Sequence, residues 1–197
     1  MFRRSLALLA ATAALLALAP LAQAARVTIR VEGFTQTIFA RAPRAVEAAN
    51  ALEALQGASV AGEFYVHVQQ TSFGPFVDQI GLYPGTGSSG WAYKVNGVSP
   101  PVGADQYQLK DRDTVLWYWG DFSGGSPKTL LLVKTSRRCY AAYEQDENAA
   151  RTLARGVRIW IGERARGRSA TGRFCLKAHT GLVHVRKPGA VRSNGLR

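Results

Sequence analysis

The longest apolar run of the chain lies at its N-terminus and decides which residues can belong to a folded core. Two arginines precede residues 6–19, and Ala22-Gln23-Ala24 follows them. A positive start, an apolar stretch and a small-x-small site are typical of a secretory signal peptide. A membrane anchor is the alternative, but Pro20 ends the run before the roughly 20 apolar residues that a spanning helix needs. We therefore expect residues 1–24 to be removed and the mature protein to be secreted or associated with the cell envelope, with no transmembrane segment.

Charge is distributed very unevenly along the rest of the chain. Residues 25–127 contain 7 Lys or Arg against 9 Asp or Glu, whereas residues 128–197 contain 16 against 4. The step falls in the segment 123–128, which begins Ser-Gly-Gly-Ser-Pro, a flexible composition ending in a proline. These features predict two domains, residues 25–122 and 129–197, joined by a linker.

The first domain begins with a clear strand pattern. Val27, Ile29 and Val31 alternate with polar residues, as in a half-buried strand. Residues 44–56 have Ala, Leu, Val and Glu at helical spacing before Gly57, which predicts one helix. Further alternating runs predict strands at residues 35–40, 63–69, 91–95 and 114–120.

A turn signal and the order of these elements complete the prediction for the first domain. Asn96-Gly97 follows Trp91 to Val95 directly, and this dipeptide favours a tight hairpin turn. Two strands, one helix and three or more strands form the order of a β-grasp, with one helix across a mixed sheet. The predicted fold class is therefore α+β, a β-grasp domain followed by a small all-β sandwich.

Several motifs of the first domain resemble a known family. They are Gly90-Trp91-Ala92-Tyr93-Lys94-Val95-Asn96-Gly97, Gly103-Ala104-Asp105, Tyr107-Gln108-Leu109-Lys110-Asp111 and Asp113-Thr114-Val115-Leu116-Trp117. Residues 27–121 are similar, on these motifs, to the transcobalamin C-terminal-like domain of unknown function, a β-grasp. Arg112 departs from the family, which usually has glycine between the two acidic residues.

The resemblance implies a position for a ligand. In the cobalamin carriers, the similar domain closes over one face of the cofactor. A corrinoid site here would use the corresponding hairpin and the loop after it, which contain Trp91, Tyr93, Asn96, Ser99 and Gln106. Cobalamin is accordingly a possible ligand, and no other cofactor is expected. The aromatic residues at 91, 93 and 117–119 offer a binding platform or core packing, and both interpretations remain open.

The second domain predicts only short strands bounded by glycine. Candidates lie at residues 129–134, 138–143, 156–162, 171–176 and 181–186. The Thr171-Gly172-Arg173-Phe174 turn is loosely similar to carboxypeptidase-regulatory-like and immunoglobulin-like modules of bacterial surface proteins. Cys139 and Cys175 could join His179 and His184 as metal ligands, but the spacing matches no zinc pattern. Exported proteins more often pair two cysteines, so we expect a Cys139–Cys175 disulfide and no metal site.

The residues point to binding rather than catalysis. No nucleophile elbow, His-Glu-x-x-His run or other catalytic set is present, and we expect the protein not to be an enzyme. An exported binding or adaptor protein, with a ligand or partner module in its first half, is the leading interpretation. Corrinoid capture is one alternative, and a structural protein held to an anionic envelope polymer by the basic domain is another. A nucleic-acid partner is unlikely on sequence grounds, because the arginines of residues 151–173 are not interleaved with stacking aromatics.

Overall fold

The structure, a computed structural model, describes residues 24–197. The predicted signal peptide therefore lies outside the described residues, apart from Ala24. Seven strands and one helix form the first half: β1 (Ala25–Glu32), β2 (Thr37–Ala48), α1 (Ala51–Gly62), β3 (Val66–Thr71), β4 (Gly74–Ile80), β5 (Tyr83–Pro84), β6 (Ser89–Val95) and β7 (Thr114–Asp121). Eight strands form the second half: β8 (Lys128–Ser136), β9 (Cys139–Gln145), β10 (Arg151–Leu153), β11 (Val157–Ile161), β12 (Arg164–Ser169), β13 (Arg173–Cys175), β14 (Val183–Arg186) and β15 (Ala190–Val191).

The first half is built on a four-stranded sheet in the order β2-β1-β7-β6. Strands β1 and β7 are parallel, and the other two pairs are antiparallel. The alternation predicted for β1 is confirmed, because Val27, Ile29 and Val31 are completely buried in the core beneath α1. A second sheet, in the order β3-β4-β5, packs β4 beside β6.

The predicted position of the helix is wrong. Strand β2 continues to Ala48, passing Pro43 at an irregularity in its register with β1, where an edge strand tolerates proline. The helix begins after Asn50, whose side chain accepts a hydrogen bond from the Glu53 amide, while the Glu53 carboxylate accepts one from the Ala49 amide. This reciprocal cap fixes the start of the helix. The chain leaves the helix at Glu63, which has a left-handed backbone conformation.

The Asn-Gly turn forms as predicted, closed by an antiparallel bridge between Val95 and Val98, but no strand follows to extend it into a longer hairpin. Asn96 and Gly97 have φ values of 54° and 87°, as this dipeptide predicts. Strand β6 pairs with β7, which begins only at Thr114, so residues 96–113 form a long connection between these two strands.

The second half contains two small sheets that share one core. One sheet has the order β10-β9-β8-β15, with β13 also paired to β9, and the other has the order β12-β11-β14. All five predicted strand regions contain a strand, while β10, β12 and β15 were missed. The predicted disulfide is confirmed: Cys139 and Cys175 are bonded and lie opposite each other on β9 and β13.

The predicted fold class is wrong. An α+β architecture, with a β-grasp domain followed by a small sandwich, does not describe a chain that is 55% strand and 7% helix and has several small sheets. The prediction gave the helix too much weight, because strands β3, β4, β5, β10, β12 and β15 form or extend small sheets that the alternation of residue types revealed only in part. The described chain is mostly β.

The two halves contact each other through buried polar groups. Arg30 and Glu32 lie on the face of β1 opposite the helix, and the Glu32 carboxylate binds Arg30 Nη1 at 2.7 Å and Arg192 Nε at 2.9 Å. Glu32 is fully buried. Lys94 of β6 is also buried and donates to Thr129 Oγ1 and to the Asp146 carbonyl oxygen, and burial lowers the pKa of its ammonium to about 8. The division into two separate domains remains a prediction.

No helix in residues 24–197 is both long enough and apolar enough to cross a membrane.

Candidate functional site

An aromatic cleft of about 310 Å³ opens beside β6, the free edge of the four-stranded sheet. We call it the β6 cleft. Its aromatic and proline walls are formed by Pro75, Phe76, Trp91, Tyr93, Pro100, Trp117, Tyr118 and Phe122. The volume is at the small end of the range for ligand pockets, which are mostly apolar with a few polar groups.

The register between β6 and β7 places Trp91, Tyr93 and Trp117 of this cleft on one face of the sheet, together with Trp119, which lies outside the lining. Trp91 lies opposite Trp119, and Tyr93 lies opposite Trp117, so all four side chains project from one face of the sheet. The rings of Tyr93 and Trp117 are stacked, with centroids 5.4 Å apart and planes 27° apart. Of the two sequence interpretations of these aromatic residues, core packing holds for Trp91 and Trp117, which are 7% and 3% exposed.

Hydrogen bonds within the protein occupy the polar atoms of these rings. Trp91 Nε1 donates to the Tyr83 carbonyl, and Trp117 Nε1 donates to the Ala51 carbonyl. The Tyr93 hydroxyl donates to the Val102 carbonyl at 2.8 Å. Burial, with a smaller effect from Tyr107 and Asp105, raises the pKa of Tyr93 to about 12, so the phenol stays protonated. The rings are therefore fixed in position, and the small part of their surface that borders the cleft is mainly apolar.

The exposed entrance to the cleft is formed by the neighbouring sheet. Phe76 of β4 lines the cleft with 51% of its surface exposed. Phe73, in the turn between β3 and β4, is 93% exposed but does not line the cleft. Phe76 is therefore the most exposed of the rings that line the cleft.

Three of the five predicted ligand-binding residues meet at this cleft. Trp91, Tyr93 and Ser99 line it. Asn96 does not, because its side chain donates to Asp113 and accepts from the Thr114 amide, which closes the connection between β6 and β7. Gln106 is exposed and also lies outside the lining.

Sequence reasoning missed the opposite wall of the cleft. Pro75 and Phe76 belong to β4, which was not predicted, because Gly74-Pro75 looks like a loop and the residues after it alternate only weakly. The sequence does contain one signal for β4, the apolar residues Phe76, Val77 and Ile80. Val77 and Ile80 are buried. The loop Ser99 to Ala104 then completes the cleft from the other side.

The side chains that line the cleft offer few groups for acid-base chemistry or metal binding. The residues that line it include no acidic, basic or histidine side chain. Elsewhere, His67 Nδ1 lies 2.6 Å from Asp78 Oδ1 in an exposed pair. Within residues 24–197, no group of three or more His, Cys, Asp or Glu side chains is placed to hold a metal ion.

Comparison with known proteins gives a partial match to one family model and a distant structural likeness. Residues 46–121, less than half of the chain, match the model of the Domain of unknown function (DUF4430). A solved structure from Ruminococcus gnavus, titled a "putative metal binding protein", is similar over 49% of this chain and 97% of its own, at 17% identity and a TM-score of 0.39. A likeness of that size carries no conclusion about function. No curated protein matches the chain.

These findings bear on the resemblance seen in the sequence. The matched domain of unknown function includes the Trp91 to Gly97 motif and the acidic turn that carried it. The closer similarity to transcobalamin is not confirmed, and the assignments of a corrinoid ligand and of export remain predictions.

Proposed function

We propose that the protein is a non-enzymatic binding protein whose β6 cleft takes a flat, largely apolar ring from a small ligand. The observation that carries the proposal is that Trp91, Tyr93 and Trp117 have their polar ring atoms hydrogen-bonded within the protein, while apolar side-chain surface forms most of the wall. Such a cleft provides stacking and exclusion of water, which are the main sources of affinity in ligand pockets.

The lining also supports binding over catalysis. General acid-base or nucleophilic chemistry needs a titratable side chain near the reacting atoms. The titratable side chains of the lining are tyrosines, and burial raises the pKa values of both Tyr93 and Tyr118, so neither is prepared to accept a proton. This lining therefore supports a binding role for the cleft rather than a catalytic one.

Cobalamin is a second candidate only through the sequence resemblance. The cleft has room for a small ring system, and its volume of about 310 Å³ favours a ligand smaller than a complete corrinoid. Three of the five residues that the resemblance implied do line it. We therefore keep cobalamin as a competitor in the test rather than as the proposed ligand.

The test uses a neutral fluorescent aromatic probe, N-phenylnaphthylamine, and two single variants of matched chemistry. Phe76→Ala removes a half-exposed ring from the cleft, whereas Phe73→Ala removes a fully exposed ring that does not line it. We expect the protein to bind the probe, Phe76→Ala to weaken binding about tenfold, and Phe73→Ala to leave it unchanged. Thermal melting checks that both variants fold.

Two results would overturn the proposal: no probe binding by the folded protein, or equal weakening by the two variants. Cyanocobalamin is added as a competitor to the bound probe. Displacement at micromolar concentration would support the corrinoid alternative, and no displacement would remove it.

A further inference from the structure

A second and larger concavity, of about 1000 Å³, lies between the two halves. We call it the inter-half groove. One wall has Phe34 and Trp119 from the first half, and the other has Arg158, Trp160 and Arg186 from the second half. The glycine-rich connection 123–127 also lines it. The groove therefore combines aromatic rings with cations on facing surfaces.

The cations of the groove belong to a row of arginines across the β12-β11-β14 sheet. Arg158 lies directly opposite Arg168 on one neighbouring strand and directly opposite Arg186 on the other. Like charges at directly opposite positions destabilise a sheet. Among residues 24–197, Arg158 and Arg168 form no ion pair, and Arg186 has only Glu163, at 3.7 Å. The row is short of anions, and a bound anion would relieve its repulsion.

Arg186 is held in an orientation that suits anion binding. Its guanidinium carbon lies 4.1 Å from the centroid of the Trp160 ring, in a cation–π contact. Its Nε donates to His184 Nε2 at 3.3 Å. One terminal nitrogen, Nη2, lies 3.7 Å from Glu163 Oε2, which is beyond hydrogen-bond distance. The fixed guanidinium can therefore still donate to a carboxylate or phosphate, the groups that arginine binds in two-pronged geometry.

The opposite wall carries one exposed ring, Phe34, and one partly buried ring, Trp119, which also packs against the core. Phe34 is 65% exposed and lies with its centroid 5.0 Å from that of Trp119, with the two planes 56° apart. Such rings pack against the apolar face of a sugar or another ring system. Asp121 also lines the groove, and hydrogen bonds from the Ser123 amide and from Ser88 lower the pKa of its carboxyl. It therefore stays an acceptor for hydroxyl groups.

We infer that the inter-half groove binds an anionic saccharide, with its acidic groups on Arg158 and Arg186 and a sugar ring against Phe34 and Trp119. The ionised carboxylate of Asp121 favours this ligand over a single-stranded nucleic acid. A carboxylate can accept hydrogen bonds from sugar hydroxyls, whereas it repels a continuous phosphate backbone. This site is distinct from the β6 cleft and does not depend on the function proposed for it.

The probe for this site is a short oligogalacturonate, titrated calorimetrically at near-physiological salt so that long-range attraction is screened. A neutral maltooligosaccharide of equal length and an oligothymidylate are titrated in parallel. We expect binding of the oligogalacturonate, weaker binding of the oligothymidylate, and no binding of the neutral sugar.

Matched variants then locate the site. Arg158→Gln removes one charge from the row, and Arg151→Gln removes one from exposed strand β10, away from the groove. Phe34→Ala is compared with Phe73→Ala in the same way. We expect Arg158→Gln to weaken binding about tenfold and Phe34→Ala about threefold, while both controls bind as the unchanged protein does.

A stability measurement separates a binding role from a structural one. Because Arg158 has repelling neighbours, Arg158→Gln is expected to keep or raise the melting temperature while it loses affinity. A lowered melting temperature, equal weakening by Arg151→Gln, tighter binding of the oligothymidylate, or no heat with the oligogalacturonate would each overturn the inference.

Discussion

The two halves of the protein form their hydrophobic cores in different ways. Among the described residues, the core cluster of the first half contains 19 buried hydrophobic residues and that of the second half contains nine. The first half places a helix on a long four-stranded sheet, whereas the second half joins short strands and holds two of them with a disulfide. A small core rarely supplies enough stability alone, so covalent and charged links matter more there.

The comparison also teaches why the first half carries buried charges. The face of β1 that holds Arg30 and Glu32 would be solvated in an isolated sheet. Here the C-terminal segment covers it, and Arg192 binds both Glu32 and the carbonyl oxygens of Gly33 and Phe34. The smaller half is therefore anchored to the larger one by a desolvated ion cluster rather than by an apolar interface alone.

The largest expected effect comes from removing the shared carboxylate. Glu32→Gln leaves the guanidinium groups of Arg30 and Arg192 buried without their counter-charge, although burial already lowers the pKa of Arg30. Breaking a buried charge network in this way costs about 3–5 kcal/mol. Urea denaturation followed by tryptophan fluorescence should show that loss in the free energy of unfolding.

The control for this variant is another ion pair between the halves. Glu163→Gln removes the partner of Arg41, but the Glu163 side chain is 73% exposed. Exposed pairs contribute about 0–1 kcal/mol, so this variant should unfold almost as the unchanged protein does. Equal losses from the two variants would mean that burial of Glu32 does not set its importance.

The second-largest expected effect comes from removing the disulfide, which should destabilise the second half more than the first. Cys139 and Cys175 are separated by 36 positions, and closing a loop of that size stabilises the folded state by about 3–4 kcal/mol. Replacing both with serine should lower hydrogen-exchange protection of β8 and β9 far more than that of β1 and β7. Equal loss of protection in both halves would show that they unfold as one unit and would end the contrast between their cores.

Patterns confined to a few residues were predictable from the sequence. The alternation around Val27 and the apolar runs of the second half gave the correct strands, and the cysteine count together with the predicted export signal gave the disulfide. The helix was misplaced because the alanines of residues 45–58 are compatible with both a strand and a helix. The capping signal that marks its true start, Asn50 followed three residues later by Glu53, was not used. The fold class failed because short strands carry too few residues to show a period.

Neither of the two proposed binding surfaces could be obtained from local patterns alone. The β6 cleft needs Phe76 beside Trp91, which depends on how two separate sheets pack. The arginine row depends on a register that brings Arg158 between residues 168 and 186. The contact of Glu32 with Arg192 spans 160 positions, and no periodicity reports a contact at that distance.

The smallest expected effect is a pH dependence of stability in the second half, which comes from one buried histidine. His184 of β14 is fully buried, and burial, reinforced by the nearby cations of Arg41, Arg186 and Arg192 and opposed by Glu163, lowers its pKa to about 3. The unfolded chain, with a histidine pKa near 6.5, therefore binds more protons between pH 3 and 6.5, and stability must fall as the pH drops through that window. At about pH 5.5 the loss is on the order of 1 kcal/mol, and near neutral pH it vanishes because the histidine is uncharged in both the folded and the unfolded state.

His184→Gln should flatten this part of the pH dependence of the second half, measured as the difference in unfolding free energy between about pH 7 and pH 5.5. A variant that keeps the full acid sensitivity would assign it to other groups.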